Sequence, residues 1–295
     1  MQEERKGEIY MLLLSLLESW FPIFSLFSIA LVGAMFSFAL SVSIATVIFL
    51  SLVIYQKKIP ELFSKAARKD LLLTTFFINL LFLLAFTGLQ YTTAGNMAVI
   101  IFMQLFFAYL YFNVFGNHKL SAVHTIGAIV MAMGALLVLI PEDLALNKGD
   151  AIIFVSAAIA PFANLYQKRA RSYVSAESIL AFRNLVALPV LFLIAFLSEP
   201  TPTIENLTKA APYILAIGFL VLGLSKVLYI EALHRISITK ISAMLALIPL
   251  FTLIFAYFTL NEVPELRQVI GIIPILIGGY LITKPENIKT KKNHM

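Results

Sequence analysis

Residues 32–55 read VGAMFSFALSVSIATVIFLSLVIY, a stretch without one charged side chain that stops at Lys57 and Lys58. A helix of that length rises about 36 Å at 1.5 Å per residue, and the hydrocarbon layer of a bilayer is roughly 30 Å thick. Runs of the same kind recur near 9–29, 70–89, 94–115, 121–140, 149–167, 176–197, 210–231, 238–260 and 267–283. Each is apolar throughout. Strands of a closed barrel would read instead as short alternating segments, so the expectation is an all-α membrane protein of ten transmembrane helices.

Composition agrees. The chain is 60% hydrophobic and 13% charged, with a mean hydropathy of +0.92, where a soluble domain carries about 25% charged residues. The N-terminus, Met1 to Glu8, is polar and the first run continues past Trp20 with no small-residue cleavage site. It reads as a retained span and not a signal peptide.

The net charge of +6 lies in the loops. With the N-terminus inside, one side collects Arg5, Lys6, Lys57, Lys58, Lys65, Arg68, Lys69, Lys119, Lys168, Arg169, Arg171, Arg235, Lys240, Lys284, Lys289, Lys291 and Lys292. The other keeps Lys148, Lys209 and Arg267. The positive-inside rule therefore puts both termini in the cytoplasm of a multi-pass protein of the inner (plasma) membrane, and no nucleic-acid partner is needed to explain the charge. Glu61 to Asp70 is expected to lie along the inner interface as an amphipathic linker.

Several chemistries drop out. There is no cysteine, hence no disulfide or thiolate site. His118, His124, His234 and His294 are scattered with no HExxH spacing, so no metal, cofactor or enzymatic activity is expected. No GxxxxGK[ST] loop is present, so the chain has no ATPase of its own. Large soluble loops, which a scaffold or receptor would favour, are missing.

The two halves, 1–141 and 142–295, repeat. At a shift of 144, Leu89 meets Leu233, Phe107 meets Phe251, Asn117 meets Asn261, Gly127 meets Gly271, Gly134 meets Gly278 and Leu137 meets Leu281. Near the start of each half the shift is 142, setting Gly7-Glu8 against Gly149-Asp150 and Trp20 against Phe162. Five spans per copy invert the second copy, a plan that lets two halves rock about a shared central site.

The run Ala232-Leu233-His234-Arg235-Ile236-Ser237, then Leu247-Ile248-Pro249-Leu250, Asn261-Glu262 and Gly271 through Gly278-Gly279 resembles EamA-type members of the drug/metabolite transporter superfamily. Gly88-Leu89-Gln90-Tyr91-Thr92-Thr93-Ala94, Gly116-Asn117-His118 and Gly127 to Gly134 repeat it in worn form. The resemblance covers nearly the whole chain and implies a basket in which helices 1 to 4 and 6 to 9 surround a cavity, with helices 5 and 10 peripheral. This sequence departs from the pattern in three places. His118 stands where an acid is usual, Ser41 fills the slot of Arg183 in the other half, and Glu18 precedes the tryptophan as in the small multidrug resistance branch.

Ionisable groups at membrane depth cost roughly 2.5–3.5 kcal/mol on insertion scales, so they face a cavity or a partner. Glu18 lies mid-span, on one helical face with Ser15, Pro22 and Ser25. It is a candidate proton-coupling group, or a structural partner of Arg183 or Lys226. Arg183 lies deep in the seventh run and is suited to a substrate carboxylate or to tying helices together. Lys226 either faces the cavity or snorkels to the interface. Asn79, Gln104, Asn164 and Gln167 offer donors and acceptors to the cavity, or glue helices to one another. Trp20 is expected on the cavity wall. Pro22 and Pro161 occur at corresponding depths as candidate helix interruptions. Gly33, Ser37 and Ser41, with the paired glycines, read as close-packing faces, and Glu231 with Arg235 as an i, i+4 ion pair at the inner mouth.

These residues lead to a secondary transporter exporting amino acids or related small metabolites by alternating access, proton-coupled through Glu18. The rival is a proton-coupled multidrug or cation pump, favoured if Glu18 is unpaired. A small-molecule substrate and the lipid bilayer are the partners implied, as a monomer or a homodimer.

Overall fold

The computed structural model describes residues 2–114, 122–139, 147–233, 235–236 and 244–283. Asn117, His118, His234, Ser237 and the basic tail from Lys284 lie outside them. The described residues form helices and no strands. The first span is α1 (Gln2–Ser19) followed by α2 (Phe21–Val32), the second α3 (Ala34–Tyr55), the third α4 (Arg68–Leu89). The fourth joins α5 (Ala94–Phe102), α6 (Gln104–Tyr109) and a π turn at Leu110–Val114, and the fifth is α7 (Ala122–Leu139). In the second half α8 (Lys148–Ala170) and α9 (Ala176–Ser198) are the sixth and seventh spans. The eighth runs through α10 (Ile204–Leu215), a π segment (Ala216–Leu224) and α11 (Ser225–Leu233). The ninth and tenth are α12 (Leu247–Leu260) and α13 (Leu266–Thr283). Seven of these rods are long and apolar enough to cross a bilayer, and the fifth, ninth and tenth are shorter apolar helices. The fold is the ten-helix architecture of the sequence reading.

Eight spans close a ring. Going round it, α1 packs on α11, the π segment of the eighth span on α3, α3 on α9, α9 on α4, α4 on α8, α8 on α5 and α6, α5 on α12, and α12 on α1. The order is thus 1, 8, 2, 7, 3, 6, 4, 9, with spans 5 and 10 paired outside it against the fourth span. Exchanging each span for its counterpart five places on returns the same ring, which is what an internal two-fold requires.

Close approaches obey the same exchange. A Cβ on Gly7 would lie 2.9 Å or less from Arg235 and Ile236. One on Gly149 would meet Tyr91 and Thr92, the residues 144 positions earlier. Gly127 faces the carbonyl of Gly278 and Gly134 that of Gly271, so α7 and α13 cross with backbone against backbone. Packing without side chains between is how membrane helices gain van der Waals contact in the absence of a hydrophobic drive.

Helix starts are capped from the other half. Glu61, on a short 3₁₀ turn at Ile59–Phe63, accepts the Ser175 N–H at 2.6 Å beside the start of α9. Glu199, just past α9, accepts the N–H groups of Met35 and Phe36 at 3.0–3.2 Å at the start of α3. Gly33 turns the chain there with φ +84° and ψ 164°, a region open only to glycine, and a Cβ on it would collide with the Glu199 carboxylate. Glu262 accepts from Ala94 and Gly95 at the start of α5, and Asn261 before it ends α12 in the left-handed conformation. The Asn-Glu motif is therefore a stop and a cap. Burial alone would raise Glu61, but the Ser175 N–H, the Ser175 and Ser178 hydroxyls and nearby Lys58 hold its carboxyl below the usual range.

Two expectations change. The interfacial linker is shorter than Glu61–Asp70, because Arg68–Asp70 already form the first turn of α4. Pro161 does not interrupt its helix, for α8 runs through it unbroken, whereas the first span does break at Trp20. Pro22 falls in the first turn of α2, where its missing N–H leaves no helical bond unmade. Pro161 sits mid-helix and is tolerated by giving up one backbone bond.

Candidate functional site

Glu18 is residue sixteen of the thirty in the span Glu3–Val32. Its carboxylate receives hydrogen bonds from Lys226 Nζ at 2.6 Å and Ser225 Oγ at 2.5 Å, across 208 and 207 residues of sequence. The partner of Glu18 is thus Lys226 and not Arg183. The side chains are 19% and 30% exposed. Lys226 does not snorkel away. Ser225 follows the π segment directly, and a π insertion turns the following helix off its 3.6-residue register.

Beside the pair stands an aromatic column. Trp20 stacks on Phe24 at 5.2 Å and on Phe255 at 4.7 Å between ring centroids, and Phe255 continues to Phe251. Two further bonds fix the break: Ser15 Oγ donates to the Met244 carbonyl at 3.0 Å, and Thr252 Oγ1 to that of Ser19 at 3.0 Å.

Arg183 is 5% exposed. Its Nη1 donates to Gln167 Oε1 at 2.9 Å and its Nε to Asn184 Oδ1 at 3.4 Å. Among the described residues no carboxylate pairs with it, so α9 holds a cation answered only by neutral amides. Asn164 is exposed although Ala157, Ala160 and Pro161 on the preceding turns of the same face are buried. Lipid-facing Val155 lies on the opposite side of α8, nine residues and half a rotation away. Asn164 therefore lies on the side of α8 away from Val155, in the half of the helix nearer the face that carries the N-terminus.

The opposite face is closed. Phe21 of α2 packs edge-on against Phe82 and Phe86 of α4, at 5.8 and 5.7 Å, from across the ring. Behind it Ser25, Ser28, Ser37 and Ser41 are fully buried, and the hydroxyls of Ser25 and Ser41 have no partner among the described residues. Nearer that face Asp150 accepts from Thr92 and, at 2.9 Å, from Asn96, whose own oxygen takes a bond from Gln268 at 2.6 Å.

Not every candidate converges. Asn79 spends its amide on the Thr75 carbonyl of its own helix, 2.7 Å away. Gln104 is half-buried in the fourth span and makes no side-chain hydrogen bond among the described residues. Glu231 and Arg235 pair at 2.5 Å as expected, with Glu3 joining them. Among the described residues no cluster of His, Asp and Glu could hold a metal. A separate groove of about 450 Å³ between α3 and the π segment is lined by Ile44, Val47, Ile48, Leu215, Ala216, Phe219 and Leu220. It offers a polar solute nothing but hydrocarbon.

A ring of eight helices with an ion pair at mid-span and two helices outside is the plan of a solute carrier. A model of the EamA-like transporter family matches residues 5–140 and again 147–284. The chain belongs to the EamA-like transporter family. It falls with that family in the drug/metabolite transporter superfamily. An uncharacterized transporter of Archaeoglobus fulgidus is 29% identical over 224 residues, covering 71% of this chain and 74% of that one. One of Methanothermobacter thermautotrophicus is 26% identical over 220 residues, 72% of this chain and 62% of its own length. A solved structure described only as that of a protein superimposes with a TM-score of 0.66 at 15% identity, covering 94% of this EamA-like chain and 96% of the other. That likeness carries the fold alone.

Proposed function

We propose that this EamA-like transporter is a secondary carrier that exports amino acids or related small metabolites by alternating access. The observation that carries the reading is the Glu18–Lys226 pair, partly exposed at mid-span two residues from the Trp20 stack. A zwitterion can enter such a pair with its ammonium on Glu18 and its carboxylate on Lys226, replacing each charge's partner without leaving either alone. Glu18 then serves as the proton-coupling group. Arg183 and Gln167 on one side, and Asn164 on the other, orient the solute. Gln104 lines its path, and Pro22 holds the break that shapes the floor. The halves 1–141 and 142–295 rock against each other about this centre.

The positive-inside rule puts both termini in the cytoplasm of the plasma membrane, and export is the direction this reading takes. The multidrug reading asked for an unpaired acid. Glu18 is neutralised by Lys226, so a cationic drug would meet no net negative charge.

The test is a thermal-stability screen of the purified protein against amino acids, organic acids and cationic drugs, followed by flux in proteoliposomes. Amino acids should raise the unfolding midpoint, because a ligand that selects the folded state stabilises it. Glu18→Gln should abolish uptake driven by a pH gradient while the protein stays folded. Normal coupled flux in that variant removes Glu18 from the mechanism, and stabilisation by cationic drugs alone would overturn the substrate class.

A further inference from the structure

The ring is symmetric in its pairings but not in the shape of two counterpart spans. The first breaks at Trp20, and α2 leans across the ring to touch α4 and α5. Its counterpart α8 runs unbroken from Lys148 to Ala170. At the shift of 142 that aligns the starts of the halves, Trp20, Phe21 and Pro22 correspond to Phe162, Ala163 and Asn164. At the shift of 144, Phe82 and Phe86 correspond to Lys226 and Ile230. The contact that closes one face, Phe21 on Phe82 and Phe86, thus has an unmade counterpart, Ala163 on the turn of α11 that starts at Lys226.

We infer that α8 carries a latent hinge at Pro161–Phe162, and that in the opposite-facing state its last two turns lean inward over the Glu18–Lys226 pair. The inference rests on the alternating-access reading above. Three local features make this the place to bend. Pro161 has no N–H for the Ala157 carbonyl, so one rung of the helix is already missing there. Ala157 and Ala160 put small side chains on the buried face just before the proline. Both breaks, observed and inferred, fall within two residues of a proline.

The bent half shows what such a motion keeps and what it loosens. In it Phe27 of α2 still stacks on Tyr213 of α10 at 5.0 Å. Ser25 and Ser41 occupy the positions of Gln167 and Arg183, and make no bond. The Gln167–Arg183 bond is accordingly the one released on bending, which frees the guanidinium as the chamber closes.

The natural chain has no cysteine, so an engineered pair reports cleanly. Ala163→Cys with Ile230→Cys is reconstituted in proteoliposomes and treated with a short bifunctional thiol reagent during amino-acid counterflow. The expected result is a cross-link that accumulates during turnover, stops counterflow, and is restored to zero by reduction. In a Pro161→Ala background, cross-linking and counterflow should both slow several-fold while the unfolding midpoint stays within a few degrees. Counterflow at the natural rate with no cross-link overturns the hinge. Absence of counterflow by the natural chain overturns instead the transport reading on which the hinge depends.

Discussion

Replacing Glu18 by glutamine leaves Lys226 with its ammonium 2.6 Å from a neutral amide. Breaking a fully buried pair by removing one partner costs about 3–5 kcal/mol, and an exposed pair is worth about 0–1 kcal/mol. With side chains 19% and 30% exposed, the pair lies between these limits, and about 2 kcal/mol is expected for Glu18→Gln or Lys226→Met alone. The double variant removes both charges and should cost about 1 kcal/mol, leaving a coupling of about 3 kcal/mol between the positions. At about 2–4 °C per kcal/mol, each single change lowers the unfolding midpoint in detergent by about 4–8 °C and the double change by about 2–4 °C. The assay is a thermal melt of all four proteins at one detergent concentration and pH 7. A double variant whose loss equals the sum of the single losses would show that the two charges do not stabilise one another, and the site would lose its central pair.

Gly278→Val places a side chain against the Gly127 carbonyl and Met131. It should destabilise by about 1–3 kcal/mol through overpacking, read as a lower unfolding midpoint, while the same change at exposed Ser198 should have no effect. Glu61 titrates below its ordinary range in the fold, so its capping contribution is complete above about pH 4.3 and is lost as pH falls through the lowered value. Melts of Glu61→Gln should therefore lie below those of the natural chain at pH 7 and draw closer to them as pH falls below about 4.3; a difference that stays constant with pH would count against the cap. Arg183→Lys keeps a charge but cannot hold Gln167 and Asn184 together. It should weaken amino-acid stabilisation in the melt, and an unchanged ligand shift would remove Arg183 from the site.

Much of the architecture could be read from the chain because a bilayer asks little of it: enough apolar residues in a row. Residues 32–55 and α3 differ by only two positions at one end. The break at Trp20 was less legible than its proline suggests, since Pro22 and Pro161 look alike in sequence. What separates them is Phe21, which finds Phe82 and Phe86 across the ring, a contact that local pattern does not encode. Glu18 and Lys226 stand out in sequence as charges at depth, and burial cost makes Lys226 or Arg183 a partner for Glu18, but a separation of 208 residues does not say which of the two it meets. Ser225 beside an intramembrane lysine was the overlooked signal. Glu61, Glu199 and Asp150 escaped because loop and span-end acids look like solvated groups. Their roles exist only once the two halves are side by side.

The crossed caps set a condition on how the molecule comes into being. A first half made alone would present the start of α3 with Met35 and Phe36 amides bare at the membrane edge, and a second half made alone would do the same at Ser175. Each copy of the repeat finishes the other's helices. Chains cut between positions 141 and 147 should thus survive quality control only when both fragments are synthesised together, and either fragment by itself should be degraded.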